Sequence, residues 1–135
     1  MTERPGEKTS TKCEVELTKY AIEDLENLPD EILDEVETYL DKLEDNMYLG
    51  LPLYNRKDYK LKGCRKIYIG DRTYRIVYQV IQEKVYVTEI GEVQEEVANI
   101  ARVVSIGLRE NKIAYKNAHE RIAASKVDEA DNKDE

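Results

Sequence analysis

The 135-residue chain contains no tryptophan and no phenylalanine, so its ten tyrosines must supply every aromatic contact, in the core or with a ligand. It also lacks any apolar run approaching the roughly 20 residues that a membrane helix needs, and we expect no membrane partner. The amino terminus is charged and has no apolar stretch, which does not resemble a secretory signal. These absences favour a cytoplasmic protein with one domain-sized core.

Cysteine and histidine are also scarce. Cys13 and Cys64 are far apart in the sequence, and neither has further metal ligands at a suitable spacing, so we predict no metal site and no cofactor. A disulfide between them is not expected in a reducing compartment. The single histidine, His119, is interpreted as a surface residue outside any catalytic set.

Charges of the two signs are unevenly distributed along the chain. Residues 14–46 hold thirteen acidic residues against two lysines, whereas residues 47–91 hold nine basic residues against four acidic ones. Because the net charge of the whole chain is -8, a local excess of arginine and lysine indicates a partner rather than a feature of the fold. The basic half is suited to phosphate, and the acidic half to solvent or to a basic protein.

Both ends of the chain offer little to bury. Residues 1–12 are polar, and residues 125–135 are almost wholly charged. We therefore predict a disordered arm over 1–12, a single domain over 13–124 and an acidic disordered tail over 125–135.

The first part of the predicted domain reads as one strand and two helices. Cys13 to Leu17 alternates between polar and apolar residues, and Thr18 can then cap a helix that ends at Pro29. A second apolar stripe at helical spacing follows this proline and extends to Leu43. Two consecutive helices form a hairpin with an acidic outer face.

The second part is predicted to be mainly strand. Lys66 to Ile69 and Tyr74 to Ile81 are rich in β-forming residues, and a turn at 82–83 leads into a short strand at 85–87. Residues 92–100 place apolar side chains at helical spacing, which predicts a short helical insertion before a strand over 102–106. A last helix is predicted from about Asn111 to Ala124. The fold class is α+β, with a short N-terminal strand, a helical hairpin, an antiparallel sheet of three to four strands and a C-terminal helix.

Four residues in this arrangement could meet on one face of the sheet: Lys66, Arg75, Arg109 and Tyr115. A phosphodiester in RNA carries its own nucleophile, the 2'-hydroxyl, so cleavage needs no metal if side chains move the protons and stabilise the phosphate oxygens. Arginine suits the second task because its planar fork pairs with two phosphate oxygens at once. Tyrosine, with an ordinary pKa of about 10, becomes a better base beside cations.

Three separated blocks of the sequence resemble the RelE toxins of the RelE/ParE superfamily. The blocks are Leu61–Tyr68 (LKGCRKIY), Tyr74–Ile81 (YRIVYQVI) and Ser105–Glu110 (SIGLRE), followed by Tyr115 and Arg121. The resemblance extends from about Val15 to Ile122 and implies a RelE-like fold. It also implies the toxin component of a type II toxin–antitoxin system, acting as a ribosome-dependent mRNA endoribonuclease that a cognate antitoxin neutralises.

The resemblance also implies roles for the four residues. Lys66 aligns with a lysine that holds the scissile phosphate, and Arg75 with an arginine that supports the transition state. Arg109 aligns with an arginine assigned to phosphate contact or to protonation of the leaving group. Tyr115 aligns with a tyrosine proposed as general base or as a base-stacking residue.

Further residues of the basic stretch are candidates for RNA contact. They are Arg56, Lys57, Lys60, Lys62, Arg65, Arg72 and Tyr68. The expected partners are the antitoxin and mRNA on the ribosome, with DNA reached only through the antitoxin.

A non-catalytic protein of the same fold is the alternative. RelE toxins carry a second lysine where this chain has Tyr68, the insertion interrupts the usual last hairpin, and the net acidity disfavours contact with RNA. The alternative takes two forms, a gyrase-directed toxin of the ParE type or an inactive toxin that acts by binding protein.

Overall fold

A five-stranded sheet is the centre of the computed structural model, which describes residues 11–133, with side chains described through residue 125. The elements in chain order are β1 (Glu14–Leu17), α1 (Lys19–Glu26), α2 (Asp30–Asp45), β2 (Leu51–Pro52), β3 (Cys64–Ile69), β4 (Tyr74–Glu89), β5 (Glu92–Leu108), a 3-10 turn (Glu110–Lys112) and α3 (Ile113–Lys133). Across the sheet the order is β1-β5-β4-β3-β2; β1 is parallel to β5, and the other neighbours are antiparallel. The predicted α+β class is confirmed. Residues 1–10 of the predicted N-terminal arm lie outside the described residues.

The helical hairpin forms where the sequence predicts it. The hydroxyl oxygen of Thr18 accepts a hydrogen bond from the backbone N–H of Ala21, and Pro29 occupies the position before the first turn of α2. Val36 and Leu43 of α2 are fully buried against the sheet, whereas Asp34, Glu37, Asp41 and Glu44 are exposed. The helices therefore pack one apolar side on the sheet and turn their acidic side to solvent.

The two faces of the sheet carry separate cores. On the face covered by α1 and α2, the buried side chains include Ile67, Ile76 and Tyr78. On the face covered by α3, the buried set is smaller and consists of Leu61, Cys64, Val77, Val104, Ala114 and Ala118. Small residues allow α3 to lie close to β5: a Cβ placed on Gly107 would be only 3.7 Å from that of Ala114.

Arg121 ties α3 to α1 across the edge of the sheet. Its Nη1 donates to Asp24 Oδ2 at 2.7 Å and to the carbonyl oxygen of Val104 at 2.8 Å, and its Nη2 donates to Asp24 Oδ1 at 3.1 Å. Asp24 Oδ2 also accepts from the backbone N–H of Ile106 at 3.0 Å. Because both side chains are largely shielded from water, this bidentate pair holds the middle of α3 against α1 and β5.

The predicted helical insertion at 92–100 is wrong, because these residues belong to strand β5. β4 and β5 stay paired from Ile81↔Ile100 to Glu89↔Glu92, and the predicted turn at 82–83 lies within β4. The strands are joined by Ile90 and Gly91, both at positive φ (53° and 78°), as a two-residue type I′ turn requires. Val93 and Val97, four residues apart, share a face of a strand as readily as a face of a helix. We call residues 82–99 the ribbon.

The last helix begins later and ends later than predicted. The 3-10 turn precedes it, with Asn111 and Lys112 both at φ 55°. Helix α3 then continues to Lys133, so the predicted disordered tail is helical over 125–133.

Candidate active site

The four predicted site residues meet on the α3 face of the sheet. Strand alternation puts Lys66 and Tyr68 on the same face of β3, and the register places Arg75 of β4 directly opposite Tyr68. Gly107 is the neighbour of Arg75 on β5, and Arg109 follows two residues later. Tyr115 reaches the same place from the first turn of α3.

Tyr68 lies at the centre of a group of cations. Lys66 Nζ donates a hydrogen bond to the Tyr68 hydroxyl oxygen at 2.9 Å. Measured to the centroid of the Tyr68 ring, the distance is 4.9 Å from Lys66 Nζ, and 5.4, 5.5 and 5.8 Å from the guanidinium carbons of Arg72, Arg75 and Arg109. All four lie within the range of cation–π attraction. We call these four residues the cationic cluster.

Arg75 is a buried cation with unused hydrogen-bonding capacity. Its residue exposure is 7%, and its Nε and Nη1 find no acceptor among the described residues. The guanidinium carbon lies 4.0 Å from the centroid of the Tyr115 ring, so the ring supports the guanidinium from one side. Two buried guanidinium nitrogens without an acceptor are costly, and an anionic ligand bound here would satisfy them.

A cleft of about 290 Å³ opens beside Arg75. Its lining is basic and aromatic, and consists of Pro52, Leu53, Tyr54, Arg56, Tyr59, Leu61, Lys66, Arg75, Lys112 and Tyr115. The rings of Tyr59 and Tyr115 meet edge to face at 6.3 Å, and Lys112 Nζ lies 6.0 Å from the Tyr59 ring. Cations for phosphate and rings for stacking are therefore present in a single concavity.

The cluster shifts the acid-base behaviour of its members. The hydrogen bond from Lys66, together with the charges of Lys66 and Arg75, lowers the pKa of Tyr68 despite partial burial. Burial alone would lower the pKa of Lys66, but contacts with the hydroxyls of Tyr68 and Tyr115 outweigh it and raise that pKa. Both shifts favour the charged forms, a phenolate beside an ammonium.

The predicted RNA-contact residues are divided between several places. Arg56 lines the cleft, Arg72 joins the cationic cluster, and Lys57 is exposed in the loop that leads to β3. Lys60 is exposed beside them; its Nζ donates to the carbonyl oxygen of Arg56, and its backbone N–H donates to His119 Nδ1.

Lys62 and Arg65 are not brought to the cleft. Lys62 lines a separate depression with Gly63 and Val80. Arg65 projects from the opposite face of β3, where Nη1 donates to the carbonyl oxygens of Tyr48 at 3.2 Å and Gly50 at 2.6 Å. Its guanidinium carbon also lies 4.9 Å from the Tyr48 ring, so this arginine holds the loop before β2.

Lys112 is a cleft residue that the sequence prediction missed. It lies three residues after Arg109, and this closeness to a predicted site residue was the only indication in the sequence that Lys112 could reach the site. The turn that positions it, with Asn111 and Lys112 in the left-handed region, has no strong signature in the sequence. Across residues 11–125, His, Cys, Asp and Glu side chains do not gather in any group of three that could hold a metal ion.

Comparison with known proteins identifies the class of this fold. The fold is similar to that of the Escherichia coli toxin RelE, solved as an arginine-to-alanine double mutant in the free state, with a TM-score of 0.57 and 21% sequence identity. The match covers 82% of this chain and 98% of RelE. No curated protein matches the sequence. None of the helices in the described part of the chain is long and apolar enough to cross a membrane.

A match to a protein-family model shows the family of this chain. The model of the ParE toxin of the type II toxin–antitoxin system parDE matches residues 15–97, which is more than half of the chain. The chain therefore belongs to the ParE toxin family, and the predicted RelE/ParE relationship is confirmed. A toxin of such a system is paired with an antitoxin, which makes a cognate antitoxin the expected partner.

Proposed function

We propose that this toxin cleaves mRNA on the ribosome by attack of a ribose 2'-hydroxyl on the adjacent phosphate, without a metal ion. The observation that carries the proposal is Arg75, a buried residue that lines a basic and aromatic cleft and has two guanidinium nitrogens without an acceptor. A phosphate oxygen seated there would supply the missing acceptors, and its charge would be met by Lys66.

Each member of the site has a task in this reaction. Arg75 and Lys66 stabilise the charge that develops on the phosphate oxygens, and Tyr115 holds Arg75 in place through ring contact. Arg109, exposed at the edge of the cationic cluster, would meet the leaving 5'-oxygen. The products are a 2',3'-cyclic phosphate on one fragment and a 5'-hydroxyl on the other.

The distribution of charge supports an RNA target in spite of the net charge of -8. The acidic helices α1 and α2 cover one face of the sheet, and the cleft opens on the other. A ribosomal RNA surface that approaches the α3 face meets Arg56, Lys66 and Lys112 first. The same targets imply a cytoplasmic site of action.

Arg75→Ala tests the proposal directly. Purified toxin is added to ribosomes programmed with a defined message, and 5'-end mapping locates the cuts. We expect cleavage by the parent and a loss of about 10²–10³-fold in Arg75→Ala, because a donor to the transition state is removed. Arg75→Lys keeps the charge without the fork and should fall between the two.

Lys84→Ala is the matched control. Lys84 is a cation on the same strand as Arg75, but it lies in the ribbon and pairs with Glu95 at 3.5 Å on the surface. The Lys84→Ala variant should cleave mRNA at the parent's rate, and circular dichroism should show that all variants are folded. An inactive parent, or an Arg75→Ala variant that cuts as well as the parent, contradicts the proposal.

Inhibition of DNA gyrase is the second candidate, and the match to the ParE toxin model supports it. In this reading the cleft would bind protein, and the cationic cluster would meet acidic side chains instead of phosphate. Supercoiling assays with purified gyrase decide between the two. If the parent toxin inhibits supercoiling by gyrase and does not cleave mRNA, this candidate is favoured.

A further inference from the structure

Tyr68 is the side chain of the site whose function is not explained by phosphate binding. We propose that Tyr68 is a catalytic residue that accepts the proton of the attacking 2'-hydroxyl, a role that rests on the RNA cleavage proposed above. The sequence alone suggests only a ring that contacts RNA at this position.

The surroundings of the Tyr68 hydroxyl suit a phenolate. Lys66 Nζ donates to the hydroxyl oxygen at 2.9 Å, a hydrogen bond that strengthens when that oxygen carries a negative charge. The cations that face the ring come from four parts of the chain: Lys66 from β3, Arg72 from the β3–β4 turn, Arg75 from β4, and Arg109 from the segment after β5.

The only titratable group that α3 brings to this place, within its described part, is Tyr115. It contacts Lys66, with Nζ 5.9 Å from its ring centroid, and Arg75. The charges that act on the Tyr68 hydroxyl are those of Lys66 and Arg75, and both are cationic. The lowered pKa of Tyr68 agrees with that geometry.

The location of Tyr68 also fits the reaction. Its register partner is Arg75, whose unused N–H groups mark where the phosphate would bind. A ribose attached to that phosphate brings its 2'-hydroxyl next to the same pair of strands. Tyr115, by contrast, supports the Arg75 guanidinium with its ring face.

The proton and electron transfers balance without a co-reactant. The Tyr68 phenolate takes the proton of the 2'-hydroxyl as the 2'-oxygen forms its bond to phosphorus. The bond from phosphorus to the 5'-oxygen breaks, and the leaving oxygen takes a proton from solvent. Tyr68 is then a neutral phenol and returns its proton to water, assisted by the four neighbouring cations.

The competing explanation is that Tyr68 has a purely structural role. Its ring would then only separate the four cations when no ligand is bound. Tyr68→Phe distinguishes the two, because it keeps the ring and removes the hydroxyl. Tyr86→Phe is the matched control, since Tyr86 lies in the ribbon and its hydroxyl is remote from the cleft.

The first measurement is the rate of ribosomal mRNA cleavage against pH. Because the pKa of Tyr68 is lowered, the phenolate fraction and the rate of the parent should rise with pH and level off below the ordinary tyrosine value of about 10. Tyr68→Phe should be slower by about 10²-fold or more and should lose this pH dependence. Tyr86→Phe should keep both the rate and the profile.

The second measurement does not depend on activity. In toxin labelled with a carbon isotope at the tyrosine hydroxyl-bearing carbon, one NMR signal should titrate below the others and be missing in Tyr68→Phe. An active parent with an equally active Tyr68→Phe overturns this inference and leaves the proposed function intact. An inactive parent overturns the proposed function and the role of Tyr68 with it.

Discussion

The two ends of the β4–β5 hairpin differ sharply in their surroundings. At the inner end, Ile76, Val77 and Tyr78 are fully buried between α1–α2 on one face and α3 on the other. In the ribbon, Tyr86 and Val93 are more than two-thirds exposed. The pairing register is continuous apart from one irregularity at Val77/Tyr78. One hairpin is thus held by packing at one end and mainly by strand pairing at the other.

This contrast explains where a site can be built. A cation such as Arg75 keeps a fixed position because layers of side chains surround it, and its strand cannot bend away. The ribbon has no such layers, and a two-stranded hairpin on its own is marginally stable in water. We therefore expect the functional site at the inner end.

Paired truncations at the two ends should give the largest difference. Ile76→Ala removes a fully buried side chain and should lower the free energy of unfolding by about 2–5 kcal/mol, whereas Val97→Ala, at 58% exposure, should change it by less than about 0.5 kcal/mol. Urea denaturation of both variants measures the contrast. Equal losses of unfolding free energy in the two variants would mean that the ribbon is covered in solution, and would contradict the difference between the two ends.

Tyr78→Phe examines the inner end more finely. The buried hydroxyl donates to the carbonyl oxygen of Met47 at 2.9 Å and accepts from the backbone N–H of Gly50 at 2.9 Å. Its removal leaves both backbone groups unpaired and should cost about 1–3 kcal/mol. Tyr86→Phe, the exposed counterpart in the ribbon, should be neutral in the same thermal and urea unfolding experiments.

The burial of Tyr78 also predicts how the stability difference between the parent and Tyr78→Phe depends on pH. Burial raises the pKa of its phenol above the ordinary value of about 10. Since the folded pKa is raised, the stabilisation is fully present below pH about 10 and is lost at higher pH, where only the unfolded chain ionises readily. The gap between the parent and Tyr78→Phe should therefore narrow above that pH. A constant gap would contradict this.

Shortening the ribbon should have the smallest effect. Replacing Lys84–Val97 by Asn-Gly joins Glu83 to Ala98, which are register partners, through a two-residue turn. The free energy of unfolding should change by no more than about 1 kcal/mol, and mRNA cleavage should persist. A large loss of stability would show that the ribbon contributes packing to the sheet, and a loss of cleavage alone would show that it contacts the target.

Local patterns in the sequence were sufficient for the helical hairpin and the inner strands. Thr18, Pro29 and the alternation of β3 each act within a few residues, and each is found as predicted. The predicted strand at 85–87 is part of β4, but the outer half of β5, residues 92–99, was not predictable in this way, because its glutamates suit a helix and a spacing of four fits either structure. Its pairing with residues 82–89 decides the outcome, and that is a contact across the hairpin.

The site was predictable only in part. The resemblance brought together Lys66, Arg75, Arg109 and Tyr115, and the structure places them on one face. Alternation along β3 could have separated Arg65 from Lys66, since neighbouring strand residues face opposite sides. The position of Tyr68 among four cations depends on strand register and on the path after β5, which no local pattern encodes.

The separation of acidic helices from the basic cleft by the sheet gives the molecule a permanent electric dipole. In the field of a polyanion such a molecule rotates before it makes contact, so the acidic face turns away and the cleft leads. Rising salt screens attraction and repulsion alike. Salt should therefore reduce the fraction of encounters that begin in a productive orientation, and slow association even where the bound state is unchanged.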